Sequence, residues 1–283
     1  MRNAIRMVVL NSKKYVLDLI SAIVAAAYSL RRLYASYTGA AIRVQRSLDD
    51  AKADIGFTAN GDLDTVALLA FVGSGNGFVT TWYDQSGNGR HATQTDPARQ
   101  PKIVSNGVIE TQNGRPALLF DGINDFFAIT SPINSVNATI NFVSRLSKTM
   151  GDGAYILGSQ TPIGLLGYDS ESAGIRIYSS SGGYFTSPLP AAVRSAASVD
   201  TVVINNNVAA LHRYGVSIAG TQTIGENFQP TMIGAYYIIA SNAFSRHWGG
   251  TLSEITVFGS SISTTDRQLL ERNQGIYFNI SVS

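Results

Sequence analysis

The sequence contains no cysteine. That absence excludes a disulfide framework, a thiolate metal site and a cysteine nucleophile, and leaves packing and hydrogen bonding to stabilise the fold. Charge is scarce as well: 14% of residues are charged and the net charge is +2. No field of the kind that gathers nucleic acid or holds a chain to an anionic membrane can arise from so little. No stretch reaches the roughly 18 apolar residues of a membrane span, and Asp18 interrupts the most apolar N-terminal run. His91, His212 and His247 stand singly, without H-x-H or H-E-x-x-H spacing, so no zinc site is indicated. A G-x-S-x-G elbow is absent, and with it the strained turn that exposes a serine nucleophile. The chain carries no sign of a cofactor, and no metal site is expected.

What the chain has in quantity is glycine, serine, threonine and asparagine, while lysine and glutamate are few. That balance fits many short strands joined by tight turns. Runs such as AAIRVQR, GFVTTWYDQ, RPALLFDG, ATINFVSRL, DTVVINNN, TMIGAYYIIA and LSEITVF are each bounded by turn formers. About ten such runs without an inter-domain linker predict one β-sandwich. Helices are predicted for LDTVALLAFV, behind an aspartate cap, and for STTDRQLLERNQGIY, where Ser263 or Thr264 caps the first turn and Leu269, Leu270 and Tyr277 dock on the sandwich. At the N-terminus, Val16, Leu17, Ile20, Ile23, Val24, Ala27, Leu30 and Leu33 recur at three- and four-residue spacing, which predicts an amphipathic helix. Basic residues precede it: Arg2, Arg6, Lys13 and Lys14. The expected organisation is an N-terminal helical assembly arm over residues 1–17 that docks on a partner, and a sandwich over residues 18–283.

The tetrapeptide SGNG occurs twice, at residues 74–77 and 86–89, with the strand FVTTWYDQ between. Neither copy has G-x-G-x-x-G spacing, so neither is a nucleotide loop. Asn-Gly supplies the positive φ of a tight bend, and Asp84 or Ser86 can accept backbone N–H bonds across it. Asp84, Ser86 and Asn88 therefore read as a structural turn. The rival is a calcium loop, for which one carboxylate is a thin ligand set.

The run AYSLRRLYASYTGAAIRVQRSLDDAKADIGF, then LDTVALLAF, then TTWYDQSGNGRHATQ, resembles the catalytic domain of arabinofuranosidase B enzymes, a concanavalin A-like jelly roll, specifically over residues 18–94. RPALLFDGINDFFAI and HWGGTLSEITVFGSSISTTDRQLLE look like the paired strands of laminin-G-like jelly rolls, which extends the fold to the whole chain. The resemblance implies an all-β, concanavalin A-like jelly-roll β-sandwich with a few short helices. It also implies, for the enzymes, a nucleophilic glutamate in the stretch that here reads GDGAYILGSQTPIG, after a cysteine pair this chain lacks; Gln160 or Thr161 stands in its place. The family's acid/base aspartate precedes the penultimate strand, and residues 227–253 contain neither Asp nor Glu. An amide or hydroxyl cannot form a glycosyl ester or exchange a proton as a carboxyl does. Asp152, Asp169 and Glu171 are the nearby carboxylates.

Sequences of this hybrid kind are also common among bacteriophage structural proteins. The expectation is accordingly a non-catalytic virion component, a capsid-decoration, head-fibre or tail-associated protein. Its expected partners are other virion proteins, further copies of itself and host surface glycans. The alternatives are an arabinan-cleaving α-L-arabinofuranosidase and a secreted lectin. Tyr236, Tyr237 and Trp248, with Phe244 among them, are the candidate carbohydrate-binding rings, although core packing is their simpler role. Asp121 and Asp125 in FDGINDFF can be a carboxylate pair or a turn, and Glu254 is a hydrogen-bonded structural acid.

Overall fold

The computed structural model describes residues 15–131, 133, 136–147, 153–159, 165–168, 175–178, 195–218, 221–224, 228–238 and 243–283. Two layers of antiparallel strands enclose the core. One centres on Gly249–Phe258, flanked on one side by Ala138–Leu146 and on the other by Val24–Ser29 and Leu118–Asp121. It continues outward through Ser198–Asn205 and Val208–Arg213. The other layer runs from Lys52–Ile55 through Ile42–Arg46, Gly77–Trp82, Ala92–Thr93, Phe127–Ile129 and Met232–Ile233 to Ala154–Gly158, Leu165–Tyr168 and Ile175–Tyr178. The strand Lys102–Ser105 pairs with both layers and joins them at one edge. This is the jelly-roll sandwich that the sequence predicts.

Between the layers lie Ile42, Val44, Trp82, Phe120, Phe127, Ile140, Phe142, Val202, Ile255 and Val257. The outward face of the central layer is also covered. The helix Thr264–Phe278 lies over it, so all ten residues of Gly249–Phe258 are buried, the polar Thr251, Ser253, Glu254 and Thr256 included. Ser263 caps that helix by accepting the Asp266 N–H, and Asn279 closes it in the left-handed region at φ 54°. Beneath the helix, Glu254 accepts from Ser29 Oγ at 2.8 Å, Arg31 Nε at 2.7 Å and Gln274 Nε2 at 2.9 Å. A buried charge is thereby fully partnered. The second helix, Thr65–Val72, is capped by Asp64. No helix among the described residues is long and apolar enough to cross a membrane.

The N-terminal expectation needs correction. Residues 16–33 do not form one helix: Val16–Leu19 is a single 3-10 turn and Val24–Ser29 is a strand paired with Gly249–Phe258. The helical spacing arose because both faces of this strand are buried, one in the main core through Ala26 and Tyr28, the other against Phe258, Ile262 and Leu270 through Val24 and Ala27. With both faces apolar the two-residue alternation vanishes, and a shift of register after Val24 disturbs it further. Val16 and Leu17 pack in that second cluster, and the Leu17 N–H donates to the Leu33 carbonyl at 3.1 Å. These two residues are part of the sandwich. The remainder of the expected arm, residues 1–14, lies outside the described residues.

What fastens this strand is the turn after Gly77–Trp82. One Asp84 carboxylate oxygen accepts the N–H of Ala27 and of Ser86, each at 2.9 Å. The other accepts Ser86 Oγ at 2.7 Å and the Arg90 N–H at 3.0 Å. Gln85 reaches further along the chain, accepting from Leu33 N–H and donating to the carbonyls of Ser29 and Arg31. Asn88 Nδ2 donates to the carbonyls of Val24 and Ala25, both at 3.0 Å. Gly89, at φ 69°, lets the chain turn back after these contacts. Replacing Asp84 by alanine strands several buried donors, each worth about 1–3 kcal/mol. Asp84→Ala is expected to lower unfolding free energy by about 2–5 kcal/mol in urea titration, equally with and without a chelator. A wild-type protein that loses stability on chelation, while the variant does not, would identify a metal site instead.

Candidate active site

The two segments in which the resemblance places catalytic carboxylates meet at one end of the second layer. Ala154–Gly158 pairs with Met232–Ile233, the Thr231 N–H donates to the Gly158 carbonyl at 2.8 Å, and the Gly234 N–H donates to Ile156 at 2.9 Å. A Cβ at Gly158 would lie 1.9 Å from the Ala235 carbonyl oxygen, so only glycine permits this approach. The hairpin of Tyr236–Ile238 and Ala243–Ser245 follows directly. It returns to the layer where the Tyr155 N–H donates to the Arg246 carbonyl at 3.0 Å.

The candidate rings divide between surface and core. Tyr236 is half-buried, its ring 5.7 Å from that of Tyr155, and Tyr237 is half-buried beside Phe126, Met232 and Ala235. Trp248 is fully buried, its ring 5.8 Å from Tyr168. Its face is thus covered by the core, and a saccharide can stack only where an aromatic face is open. Asp84, Ser86 and Asn88 belong to the turn described above, remote in the chain from this end. No group of three or more His, Asp or Glu that could hold a metal occurs among the described residues.

Tyr168 is anchored from beneath. Its hydroxyl accepts from Arg213 Nη2, which also reaches Ser198 Oγ at 3.0 Å, and Arg213 Nε meets Asp200 at 2.6 Å. Every member of this group is buried. The strand ending at Tyr168 is therefore held rigidly just before Asp169 in the sequence. Asp152, Gln160, Thr161, Asp169 and Glu171 all lie outside the described residues.

Most buried carboxyls of the described residues are committed. Asp84 has its four donors, Asp200 pairs with Arg213, Glu254 with Arg31, and Glu271 with Arg267 at 2.6 Å. Asp125, 6% exposed, differs. Its hydrogen-bond partner is the Asp121 N–H at 2.9 Å, with no cation in contact. Burial pushes its carboxyl up to about 7; the Asp121 N–H opposes that shift, the Asp121 charge adds to it and Lys102 lessens it. Asp121 accepts the N–H groups of Ile123, Asn124 and Asp125, so the pair is built as a turn. The loop touches the hairpin end, where His247 Nδ1 is 3.4 Å from the Asp125 carbonyl oxygen. The sequence leaves Asp125 as a turn residue or half of a carboxylate pair, because local pattern carries no sign of its burial.

The family model described as "Alpha-L-arabinofuranosidase B, catalytic" matches residues 20–139. Alpha-L-arabinofuranosidase B of Aspergillus niger is 43% identical over 75 residues, 26% of this chain and 15% of that protein. The alpha-L-arabinofuranosidase of Hypocrea jecorina is 37% identical over 111 residues, 38% of this chain and 22% of that protein. The chain thus spans less than a quarter of the length of these curated relatives. Among solved structures, a GH54 arabinofuranosidase soaked with a cyclic sulfate inhibitor superposes with TM-score 0.67 at 18% identity, covering 91% of this chain and 63% of that one. An arabinofuranosidase complexed with arabinofuranosyl-alpha-1,2-xylobiose gives TM-score 0.66 at 17% identity, with the same coverage. The chain has the fold of arabinofuranosidase B catalytic domains.

These findings overturn the expectation of a non-catalytic virion component with capsid or tail partners. The matching family model is that of a catalytic domain, and the relatives are named as arabinofuranosidases. The phage reading rested on the general look of the jelly roll, and fold alone does not carry function.

The raised Asp125 carboxyl has a consequence for stability. The unfolded chain ionises near the ordinary carboxylate range while the folded chain keeps the proton to about pH 7, so this group costs stability as pH rises across that window. Asp125→Asn, which removes the titration, is expected to melt higher relative to wild type at pH 8 than at pH 4. Thermal melts at the two pH values check this; an identical difference at both would contradict it.

Proposed function

We propose that this chain is a glycoside hydrolase of the α-L-arabinofuranosidase type, acting outside the cell on arabinofuranosyl groups of plant-type polysaccharide. The observation that carries the reading is the coincidence of two matches on one chain. Residues 20–139 match the catalytic model in sequence, and 91% of the chain follows the fold of arabinofuranosidases.

The chemistry needs two carboxyl groups flanking the glycosidic bond, one to form the ester with the sugar or activate water, the other to give and take the proton. With no Asp or Glu in residues 227–253, the acid/base cannot come from that segment. We assign the nucleophile to Glu171, with Asp169 two positions before it in sequence, and the acid/base to Asp125, whose loop meets the hairpin end at His247 and whose burial keeps its proton up to about pH 7. A general acid must be protonated at working pH, and an elevated carboxyl meets that condition. The half-buried rings of Tyr236 and Tyr237 are the proposed walls for the sugar.

Turnover of 4-nitrophenyl α-L-arabinofuranoside tests the reading. Wild-type protein is expected to release nitrophenol, and Glu171→Gln or Asp125→Asn to reduce kcat by about a hundredfold or more. Wild-type protein no faster than a buffer blank, or variants as active as wild type, would refute the assignment.

A further inference from the structure

Away from that site, a cavity of about 280 Å3 opens between the N-terminal turn, residues 60–62 and the C-terminal helix. Three guanidinium groups line it, and they differ in how far they are engaged. Arg31 is committed, with Nε and Nη2 on Glu254 and Nη1 donating to Asn273 at 2.7 Å. Arg115 donates from Nε to the Tyr277 carbonyl at 2.9 Å, lies 4.3 Å from the Tyr277 ring centre, and has Nη1 3.8 Å from Asp62. Among the described residues Arg32 has no ion pair, and its Nε is sealed from solvent without a hydrogen-bond partner. Its guanidinium sits 5.6 Å from the Tyr15 ring centre.

We propose that this cavity binds a carboxylate-bearing sugar, a uronic acid unit. The charge count favours a monoanion: Glu254 answers Arg31, Asp62 answers Arg115, and one positive charge remains on Arg32. The planar guanidinium of Arg32 matches the two oxygens of a carboxylate through its terminal nitrogens. A phosphate dianion would exceed that charge. The rest of the lining suits sugar hydroxyls. Among the described residues the Asp62 carboxylate accepts the Tyr277 hydroxyl, at 2.8 Å, and keeps acceptor capacity, and Asn60 lines the cavity with it. Tyr15 lines the cavity as well, whereas the Tyr277 ring is covered by the guanidinium groups of Arg31 at 4.6 Å and Arg115 at 4.3 Å. Gly61, at φ 85°, allows the loop to close on Tyr15, whose ring would be 2.7 Å from any Cβ there. None of the strands of the candidate active site lines this cavity, so the inference goes beyond the hydrolase reading and can fail or stand independently of it.

Calorimetric titration with sodium D-galacturonate is the test, with D-galactose and inorganic phosphate as controls. Saturable galacturonate binding is expected for the wild type. Arg32→Gln should weaken it roughly tenfold to a hundredfold, with an unchanged melting temperature, and galactose and phosphate should bind at least tenfold more weakly than galacturonate. If Arg32→Gln fails to fold, Asn60→Ala, on a half-open loop, should still weaken binding severalfold. No saturable binding, binding that survives both substitutions, or galactose or phosphate binding as tight as galacturonate would overturn the proposal.

Discussion

The Asp84 carboxylate is the point on which the two layers and the N-terminal strand are indexed to one another. Its oxygens receive donors from Ala27, Ser86 and Arg90, tying together segments more than fifty residues apart in sequence. A carboxylate saturated by four donors is satisfied without a cation, and removing it leaves polar groups of the core unpartnered. Gln85 and Asn88 extend the same clamp along the chain. Residues of the run TTWYDQSGNGRHATQ, which carries part of the family resemblance, thus make hydrogen bonds to the N-terminal strand.

Two further buried ion pairs define the sandwich on either side of its core. Glu254 with Arg31 and Gln274 fixes the C-terminal helix over the central layer, and Asp200 with Arg213 and Tyr168 fixes the strand that leads toward Asp169. Such pairs add little net stability relative to apolar packing, but breaking one leaves an uncompensated charge. We read them as devices that select one arrangement of the helix and of the site-bearing strands.

The sandwich, its capped helices and the Asp84 turn were legible because local chemistry decides them: Ser263, Asp64 and the Asn-Gly bend act within a few residues of themselves. The strand Val24–Ser29 was not, because burial on both faces erases the alternation that marks a strand and leaves spacing that mimics a helix. Trp248 could be named as an aromatic residue near the site, but its contact with Tyr168 depends on a pairing across eighty residues. Asp125 and Arg32 are distinguished only by what they lack, a cation in one case and an anion in the other. Sequence carries no signal for a missing partner.

The proposed hydrolase combines an arabinofuranosidase-like sandwich with a carboxylate from the stretch after Tyr168. Its most direct test is covalent capture. An arabinofuranose-configured cyclic sulfate, the inhibitor class present in a similar solved structure, offers a carboxylate nucleophile a C–O bond to open, with the sulfate as the leaving oxygen's charge carrier. Mass spectrometry of the treated protein is predicted to show a single adduct on the peptide containing Glu171, absent in Glu171→Gln. An unmodified protein, or an adduct on another peptide, would contradict the account.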